Sequence, residues 1–287
     1  MILNLKNITF VIVSYKSENV IFKCINSLPK KSKIIVVENS ENHKLKKQLL
    51  SKYDNIKVII NKNIGMGAGN NIGIKKSNTQ YVFILNPDTR FKKDTFKKLI
   101  DAAKSINDFG IISPLNSNLN YPNYDKNNSK IYNKNILNVE CVDGFSMLIN
   151  KKKIKNQEYF DKNFFLYLEN VDLCKRVRKS GEKIFVIKNS LINHLGGSST
   201  NKILHDKIEY LRNWHWMWSK FYYSRKHYGY LIAIFNISSN LISSIFKILF
   251  YLFIFNGKKG KIYKMRFLGI LNGLLCKKSW LRLKNIN

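Results

Sequence analysis

Short apolar segments alternate with amphipathic segments through the first third of the sequence. The apolar segments predict strands at residues 8–13, 33–37, 57–60 and 81–85. The segments between them have the apolar spacing of helices, at residues 19–28, 43–53 and 70–76. Strand–helix–strand units of this length form parallel strands joined by right-handed crossovers. The sequence therefore predicts an α/β fold with a mostly parallel central sheet flanked by helices.

Polar residues follow directly after three of these strands. They are Ser14 and Tyr15, then Glu38 and Asn39, and then Asn86, Pro87 and Asp88. Pro87 lacks the N–H that a sheet ladder needs, so the fourth strand has to end before it. The carboxyl ends of parallel strands share one edge of a sheet, where open α/β folds bind ligands. We expect one cleft there, with Asp88 placed to hold a divalent cation against a diphosphate; an ordinary Asp-containing turn is the alternative.

A glycine-rich segment at residues 63–73 follows the third strand. Gly65, Gly67 and Gly69 stand at alternate positions, where glycine allows a positive φ and a close backbone approach. A helix that begins after them would point free N–H groups toward a phosphate or a ribose. The segment lacks the Gly-Lys-Ser/Thr of a phosphate-binding loop and the spacing of a dinucleotide fingerprint. Contact with a nucleotide and a purely structural turn both remain open.

Two carboxylates, Glu169 and Asp172, stand three residues apart, so on a helix they share one face. Lys175 and Arg176 follow closely, and two acids beside two cations shift each other's pKa. The aromatic residues at 164–167 predict a partly desolvated cleft, which suits a general base. A surface helix with acids near its positive end is the alternative.

The charge of the chain restricts its partners. The net charge is +32, from 50 Lys and Arg against 18 Asp and Glu. Such an excess favours nucleic acid, anionic lipid or phosphorylated substrates. The four cysteines are scattered without metal-type spacing, which fits a reducing compartment.

The last third of the sequence is a different kind of chain. Aromatic and basic residues are interleaved at 212–226, and residues 228–255 carry one charge, Lys247. As a helix the second segment would be about 40 Å long, enough to cross a bilayer. A polar stripe runs along it, at Asn236, Asn240, Ser243, Ser244 and Lys247. With basic clusters at both ends, we expect an amphipathic or re-entrant helix on a membrane surface. The alternatives are a single-stranded nucleic-acid surface, an aromatic core helix and a buried dimer helix.

A series of motifs in a fixed order covers residues 8–200. They lie at residues 11–15, 35–40, 63–73, 85–89, 144–149, 160–176 and 193–199. Together they resemble an inverting glycosyltransferase of family 2, most closely its bacterial rhamnosyltransferase-like branch. The resemblance implies a GT-A (Rossmann-like) fold. We expect residues 1–205 to form the nucleotide-sugar-binding catalytic domain and residues 206–287 a helical membrane-association region.

The resemblance also implies a site for a nucleotide sugar and for Mg²⁺ or Mn²⁺. Glu38 matches the acid that contacts the base or ribose, where family members more often have Asp. Asp88 matches the last acid of the metal-binding Asp-x-Asp. His194 matches a histidine that completes the metal site, and a satisfied loop histidine is the alternative. The full donor-binding set predicted here is Ser14, Tyr15, Glu38, Asn39, Asn63, Gly65, Asn70, Asn71, Asn86 and Asp88.

The chain departs from the family at one catalytic position. Family members usually have Glu-Asp-x-Asp and the second residue is often assigned as the base, whereas this chain has Asn170 there. An amide cannot take up a proton in that role. We hypothesise that Glu169 is the general base and that Asp172 orients the site or the acceptor. The reverse assignment of the two acids stays open.

These features predict a peripheral or monotopic enzyme on the cytoplasmic face of the bacterial inner membrane. It would move a sugar, rhamnose by resemblance, from a dTDP- or UDP-linked donor to a saccharide on a polyprenyl diphosphate, with anomeric inversion. The pathway would be assembly of a surface polysaccharide such as O-antigen, capsule or lipopolysaccharide. Anionic membrane lipid and a second copy in a homodimer are further expected partners, and specific nucleic acid is not. The rival hypotheses are a nucleic-acid-binding basic protein and, because of Asn170, an inactive glycosyltransferase-like scaffold.

Overall fold

A ten-stranded mixed sheet organises the N-terminal part of the chain in the computed structural model, which describes residues 3–106, 108–154, 158–196 and 205–286. The strands are β1 Ile8–Ser14, β2 Lys33–Glu38, β3 Ile56–Ile60, β4 Tyr81–Leu85, β5 Thr89–Phe91, β6 Ile111–Asn116, β7 Ser129–Asn133, β8 Ile136–Val139, β9 Ser146–Asn150 and β10 Ile184–His194. The helices are α1 Glu18–Asn26, α2 His43–Lys52, α3 Met66–Lys76, α4 Thr95–Ser105, α5 Glu169–Lys179, α6 His205–Tyr228, α7 Tyr230–Phe253 and α8 Gly257–Leu274.

The chain divides into two units. The sheet unit comprises Met1–Asp161 and Glu169–Ser199, and the helical unit comprises Lys162–Leu168 and Thr200–Asn287. Two hydrophobic clusters lie on the sheet in the first unit, and two others lie among α6, α7 and α8 in the second. Each unit therefore has a core of its own.

The centre of the sheet confirms the predicted parallel architecture. Its strand order is β3-β2-β1-β4-β9-β6-β10-β8-β7, with β5 paired to β10. The first four strands in this order are parallel to their neighbours, and β9 runs antiparallel to β4. Every residue of β1 and β4 is buried, as expected for strands covered by helices on both faces. The structure thus has the α/β class and flanking helices that the sequence predicts.

The glycine-rich segment differs from its prediction. We expected a loop up to residue 69 and a helix from Asn70, but α3 begins at Met66, so Gly67 and Gly69 are helical. Of the three alternating glycines, only Gly65 has a positive φ, 95°. The other glycines permit close packing: a Cβ on Gly73 would lie 2.3 Å from Cγ1 of Val11. The segment therefore serves mainly to let α3 pack closely on β1, because at Gly73 there is room for a hydrogen atom but not for a Cβ.

This contact gives a first testable prediction. We expect Gly73→Ala to lower the free energy of unfolding of the sheet unit by about 1–3 kcal/mol, because the buried side chain of Val11 cannot move away from the added methyl. The matched control is Gly260→Ala on α8, where the nearest atom to a new Cβ is 3.7 Å away. That change should be neutral or stabilise by up to about 1 kcal/mol. Equal effects of the two changes in chemical denaturation would contradict the packing argument.

In the helical unit, α7 turns its polar stripe toward its neighbouring helices. Asn236 donates to Ser224 of α6, Lys220 of α6 donates to Asn240, and Lys247 donates to Tyr263 of α8. The opposite face of α7 is apolar and exposed, with Leu231 at 81%, Phe235 at 80% and Phe253 at 82%. Among the described helices, α7 alone is long and apolar enough to cross a membrane, on length and composition.

Candidate active site

The polar tips of the central strands meet at the carboxyl edge of the sheet. Ser14 and Glu38 end β1 and β2 and are paired in register. Just beyond them, the backbone N–H of Asn39 donates to the carbonyl of Ser14 at 2.7 Å. Tyr15 follows Ser14 and is half-buried. The parallel register therefore places these residues side by side at one edge of the sheet.

The Asn86–Asp88 turn is rigid and presents a buried carboxylate. The N–H of Asn86 donates to the carbonyl of Phe145 at 2.9 Å, and Thr89 donates to the carbonyl of Asn86 through both its N–H and its hydroxyl. Asp88 is 5% exposed. Its Oδ1 lies 3.4 Å from Nε2 of His194.

His194 reaches this position because β10 is longer than predicted. The sequence predicts a strand over 183–187, with His194 in the loop after it. Instead, a bulge between Ile187 and Leu191 lets β10 continue to His194, which pairs with Thr89 of β5. The imidazole stacks on Phe145, with ring centroids 4.1 Å apart and an interplanar angle of 19°. Residues 197–199, the last three of the motif at 193–199, lie outside the described residues.

Asp88 and His194 together fit a divalent cation. A carboxylate oxygen and an imidazole nitrogen 3.4 Å apart are close enough to be ligands of one ion. Carboxylate oxygens suit Mg²⁺ and Mn²⁺, and imidazole is a common ligand of transition-metal ions. The pair can therefore act as two ligands, with the remaining positions left to water and to ligand oxygens.

Several predicted donor-site residues are engaged in holding loops. The Glu38 carboxylate is buried and accepts hydrogen bonds from the backbone N–H groups of Ser40 and Asn42 and from the Ser40 hydroxyl. Asn39 donates to the carbonyl of Gly65, whose N–H in turn donates to Asn63. Glu38 therefore anchors the 39–42 loop in this structure, and its contact with a base or ribose stays a prediction.

Asn70 and Asn71 have different surroundings although both are buried. The Asn71 amide forms two hydrogen bonds with the backbone of Phe160, donating to its carbonyl and accepting from its N–H. In contrast, Oδ1 of Asn70 is buried without a hydrogen-bond partner among the described residues, as is Oγ of Ser14. Buried polar atoms without partners are uncommon in folded proteins, and water, an ion or a ligand can supply the missing hydrogen bond. Ser14 and Asn70 thus fit a bound donor, whereas Asn71 has a structural contact.

Glu169 opens α5 and has the environment of a general base. Its Oε2 is buried with no hydrogen-bond partner among the described residues, and its Cγ would lie 3.2 Å from a Cβ placed on Gly67. Burial raises the pKa of this carboxyl to about 7. A carboxylate with a pKa near neutrality can accept a proton at about pH 7.

Asp172 has a partner that Glu169 lacks. It is fully buried and accepts a hydrogen bond from Nε of Arg176 at 2.8 Å. The same guanidinium donates to the backbone carbonyls of Glu158 and Tyr159. Asp172 therefore holds α5 against the preceding segment, which supports a positioning role for Asp172 and the base role for Glu169.

Asn170 makes a contact that the family's aspartate could not make. Its amide donates to the carbonyl of Val142 at 3.0 Å, and its Cβ packs 3.2 Å from the place of a Cβ on Gly144. A carboxylate has no proton to donate there and would repel the carbonyl oxygen. In this chain, position 170 therefore supports the segment that leads to Phe145.

This contact predicts that restoring the family residue is harmful. We expect Asn170→Asp to lower the free energy of unfolding by about 1–3 kcal/mol, because it leaves two partly buried acceptors facing each other. The control is Asn19→Asp in the first turn of α1, where an exposed acid is neutral or slightly stabilising. Thermal unfolding of both variants at pH 8 measures the difference. An Asn170→Asp protein as stable as the wild type would remove the structural role.

The segment before β9 contains functional residues that the sequence analysis did not assign. Phe145 supports the His194 ring, and its carbonyl holds the Asn86 turn. Asp143 is exposed, but protein surrounds enough of its carboxyl to raise its pKa, while the nearby His194 lowers it. The motif at 144–149 was the available signal, although nothing in it shows that its first residues lie beside β10.

Known proteins share both the sequence pattern and the fold. The family model of glycosyl transferase family 2 matches residues 9–165. The low-salt glycan biosynthesis hexosyltransferase Agl10 of Haloferax volcanii is 28% identical over 201 residues, covering 63% of this chain and 64% of that protein. Rhamnosyltransferase WbbL of Escherichia coli is 27% identical over 209 residues, covering 62% of this chain and 79% of that protein. This chain thus spans slightly less than two thirds of the length of Agl10.

A solved structure extends the similarity to most of the chain. The mannosyltransferase PcManGT from Pyrobaculum calidifontis, in complex with GDP-Man and Mn²⁺, superposes with a TM-score of 0.55 at 9% identity, covering 95% of this chain and 88% of that one. At that identity the likeness concerns the fold. The family model covers more than half of the chain, so this protein belongs to glycosyl transferase family 2 and has the GT-A type of fold.

Proposed function

We propose that this protein is an inverting, metal-dependent glycosyltransferase that uses a nucleotide-sugar donor. The observation that carries the proposal is the sheet-edge site, where the Asp88–His194 pair shares an edge with the unpartnered Ser14 hydroxyl. Glu169, whose burial raises its pKa to about 7, supplies the second element. Mannosyltransferase PcManGT, with GDP-Man and Mn²⁺ bound, supports a nucleotide sugar and a divalent ion as the ligands.

Each group has a separate chemical task. Asp88 and His194 would hold Mg²⁺ or Mn²⁺, which when bound neutralises charge on the departing diphosphate. Ser14 and Tyr15 at the end of β1, together with Asn70 in α3, would bind the donor. The Glu169 carboxylate takes the proton from the acceptor hydroxyl as that oxygen bonds to the anomeric carbon. Direct displacement from the face opposite the leaving group inverts the anomeric centre.

We propose rhamnose or another hexose as the transferred sugar. The relatives WbbL and Agl10, a rhamnosyltransferase and a hexosyltransferase, support this choice. A dTDP- or UDP-linked donor and a polyprenyl-diphosphate-linked saccharide acceptor would place the reaction in surface-polysaccharide assembly.

The test is a panel of nucleotide sugars, assayed by thermal shift with Mn²⁺ and with EDTA. We expect stabilisation by one donor or a few related donors, only with the metal, and a product of inverted anomeric configuration by NMR. Stabilisation without turnover on any lipid-linked saccharide would favour the inactive scaffold. Selective binding of a nucleic-acid sequence instead of a nucleotide sugar would overturn the proposal.

We further propose that the protein binds the cytoplasmic face of the bacterial inner membrane through α7. Its outward face carries large apolar side chains, and the surrounding basic residues would be attracted to anionic lipid. We expect Phe235→Glu with Phe246→Glu to lower binding to anionic vesicles at least about tenfold, because two phenyl groups that would be buried in the bilayer are lost. The matched control is Leu119→Glu with Tyr121→Glu, at exposed apolar positions of the sheet unit. Unchanged co-sedimentation of the α7 variant would exclude this membrane contact and favour a dimer helix.

A further inference from the structure

The helical unit contains an open pocket with two arginines on its wall. The pocket has a volume of about 360 Å³ and is lined by Tyr167, Arg212, Asn213, Trp216 and Arg266. Arg212, Asn213 and Trp216 come from α6 and Arg266 from α8. The two helices thus bring two permanent positive charges to one cavity.

Neither arginine has an anionic partner among the residues that the structure describes. Nε of Arg266 is buried and has no hydrogen-bond partner among the described residues; its guanidinium lies 5.5 Å from the ring centroid of Tyr263. Arg212 is exposed, and in the described part of the chain its guanidinium likewise makes no hydrogen bond or ion pair. The sequence explains why: residues 206–287 contain 15 Lys and Arg but only the acids Asp206 and Glu209, and Asp206 pairs with Lys258. A buried guanidinium N–H without a protein acceptor can donate to water or to a bound anion, and an anion would also neutralise its charge.

The shape of the two side chains indicates which anion. Arginine presents a planar fork of donors that matches the oxygens of a phosphoryl group, and two forks at one pocket suit a diphosphate. The aromatic part of the pocket indicates where that group comes from. Trp216 is 42% exposed, and its ring meets Tyr167 edge to face at 5.4 Å. Trp and Tyr beside Arg are typical of the lipid headgroup level. Helix α7, with its apolar outer face, packs on both helices that carry the arginines.

We infer that this pocket binds the diphosphate group of a polyprenyl-diphosphate lipid through Arg212 and Arg266. The inference rests on the proposed function in one respect, since this lipid would be the carrier of the acceptor sugar. The inference adds a recognition site in the helical unit for the diphosphate group, which is the same in every acceptor built on this carrier. The saccharide would then be the only part of the acceptor that the sheet unit has to recognise.

Binding of farnesyl diphosphate, a short polyprenyl diphosphate, tests the pocket directly. Isothermal titration in EDTA excludes a metal-bridged contact at Asp88. We expect Arg212→Gln and Arg266→Gln each to weaken binding at least about tenfold, because each removes a charge-assisted pair of hydrogen bonds. Lys264→Gln is the matched control, since it removes a charge from the same helix outside the pocket and should change binding by less than about twofold. Arg266→Lys, which keeps the charge and loses the fork, replaces Arg266→Gln if circular dichroism shows that the latter is unfolded.

The outcomes separate this inference from the proposed function. Wild-type affinity in both folded arginine variants overturns the pocket assignment. Equal affinity for inorganic pyrophosphate overturns the lipid as the source of the anion. A raised KM for the lipid-linked acceptor, with an unchanged Mn²⁺-dependent thermal shift by the nucleotide sugar, supports the site and the reaction together. Arginine-dependent binding in a protein that no nucleotide sugar stabilises would support the pocket while refuting the transferase.

Discussion

Glu169→Gln is expected to abolish sugar transfer while making the protein more stable at pH 8. The amide cannot accept the proton of the acceptor hydroxyl, so turnover should fall by about 10²- to 10⁴-fold, the range of general-base contributions. Donor binding should persist, because Glu169 is not among the groups assigned to the nucleotide sugar. Initial rates and the Mn²⁺-dependent thermal shift measure the two effects separately.

The gain in stability follows from the direction of the pKa shift. The pKa of this carboxyl rises on folding from an ordinary 4.5 to about 7, because burial disfavours the charged form. Between these values the folded protein binds the proton more tightly than the unfolded chain, so stability falls as pH rises from about 4.5 to 7. Above pH 7 the buried negative charge lowers the free energy of unfolding by about 3 kcal/mol, and the neutral glutamine side chain removes this cost. The wild type and Glu169→Gln should therefore unfold alike near pH 4.5 and diverge by pH 8.

The pH dependence of the wild-type rate should report the titration of the same carboxyl, Glu169. Below about pH 7 the rate should fall tenfold per pH unit, as Glu169 becomes protonated and loses its function as a base. Asp54→Asn, at an exposed position, serves as the control and should change neither the rate nor the stability profile. Substantial turnover in Glu169→Gln would transfer the base role to another group, with Asp172 the first candidate.

Asp88→Asn is expected to eliminate the response of the protein to divalent cations. The amide removes the negative charge from the pair with His194, so affinity for Mn²⁺ should fall by at least about 100-fold and activity with it. The fold should persist, because the backbone bonds of Asn86 and Thr89 hold the turn independently of the Asp88 carboxylate. Electron paramagnetic resonance of free Mn²⁺ reports binding without reference to activity.

Two further variants give this experiment its controls. Asp94→Asn makes the same chemical change six residues later, at an exposed left-handed position that asparagine tolerates, and should bind Mn²⁺ like the wild type. His194→Ala should weaken Mn²⁺ binding less than Asp88→Asn, because it removes a neutral ligand. A normal Mn²⁺ response in Asp88→Asn would refute the metal site, and an unchanged response in His194→Ala would remove only the histidine from it.

The sequence was sufficient for the features that repeat locally. Alternating apolar and amphipathic segments predicted β1 to β4 to within one residue at each end, and the polar residues after those strands predicted the edge at which they meet. These predictions succeed because they need only local information. A continuous apolar run is enough to predict a buried strand, and the missing N–H of Pro87 is enough to predict where β4 ends. Local pattern also misled at α3, where Gly67 and Gly69, predicted as loop, are helical; Gly69 packs against Val13 of β1 and Gly67 against Phe160.

Only the tertiary structure distinguished between side chains of the same type. Glu38, Asp172 and Glu169 are three acids in predicted site motifs, yet their surroundings differ. The first is hydrogen-bonded to its own loop, the second is paired with Arg176, and the third has one carboxylate oxygen buried without a partner among the described residues. The resemblance predicted His194 as a metal ligand, but only the bulge in β10 shows how this residue comes to lie beside Asp88. The sequence thus determined which elements form and which polar residues end them, because those depend on short-range periodicity. The long-range contacts determined which acids are free to act, because a hydrogen-bond partner can come from any distance along the chain.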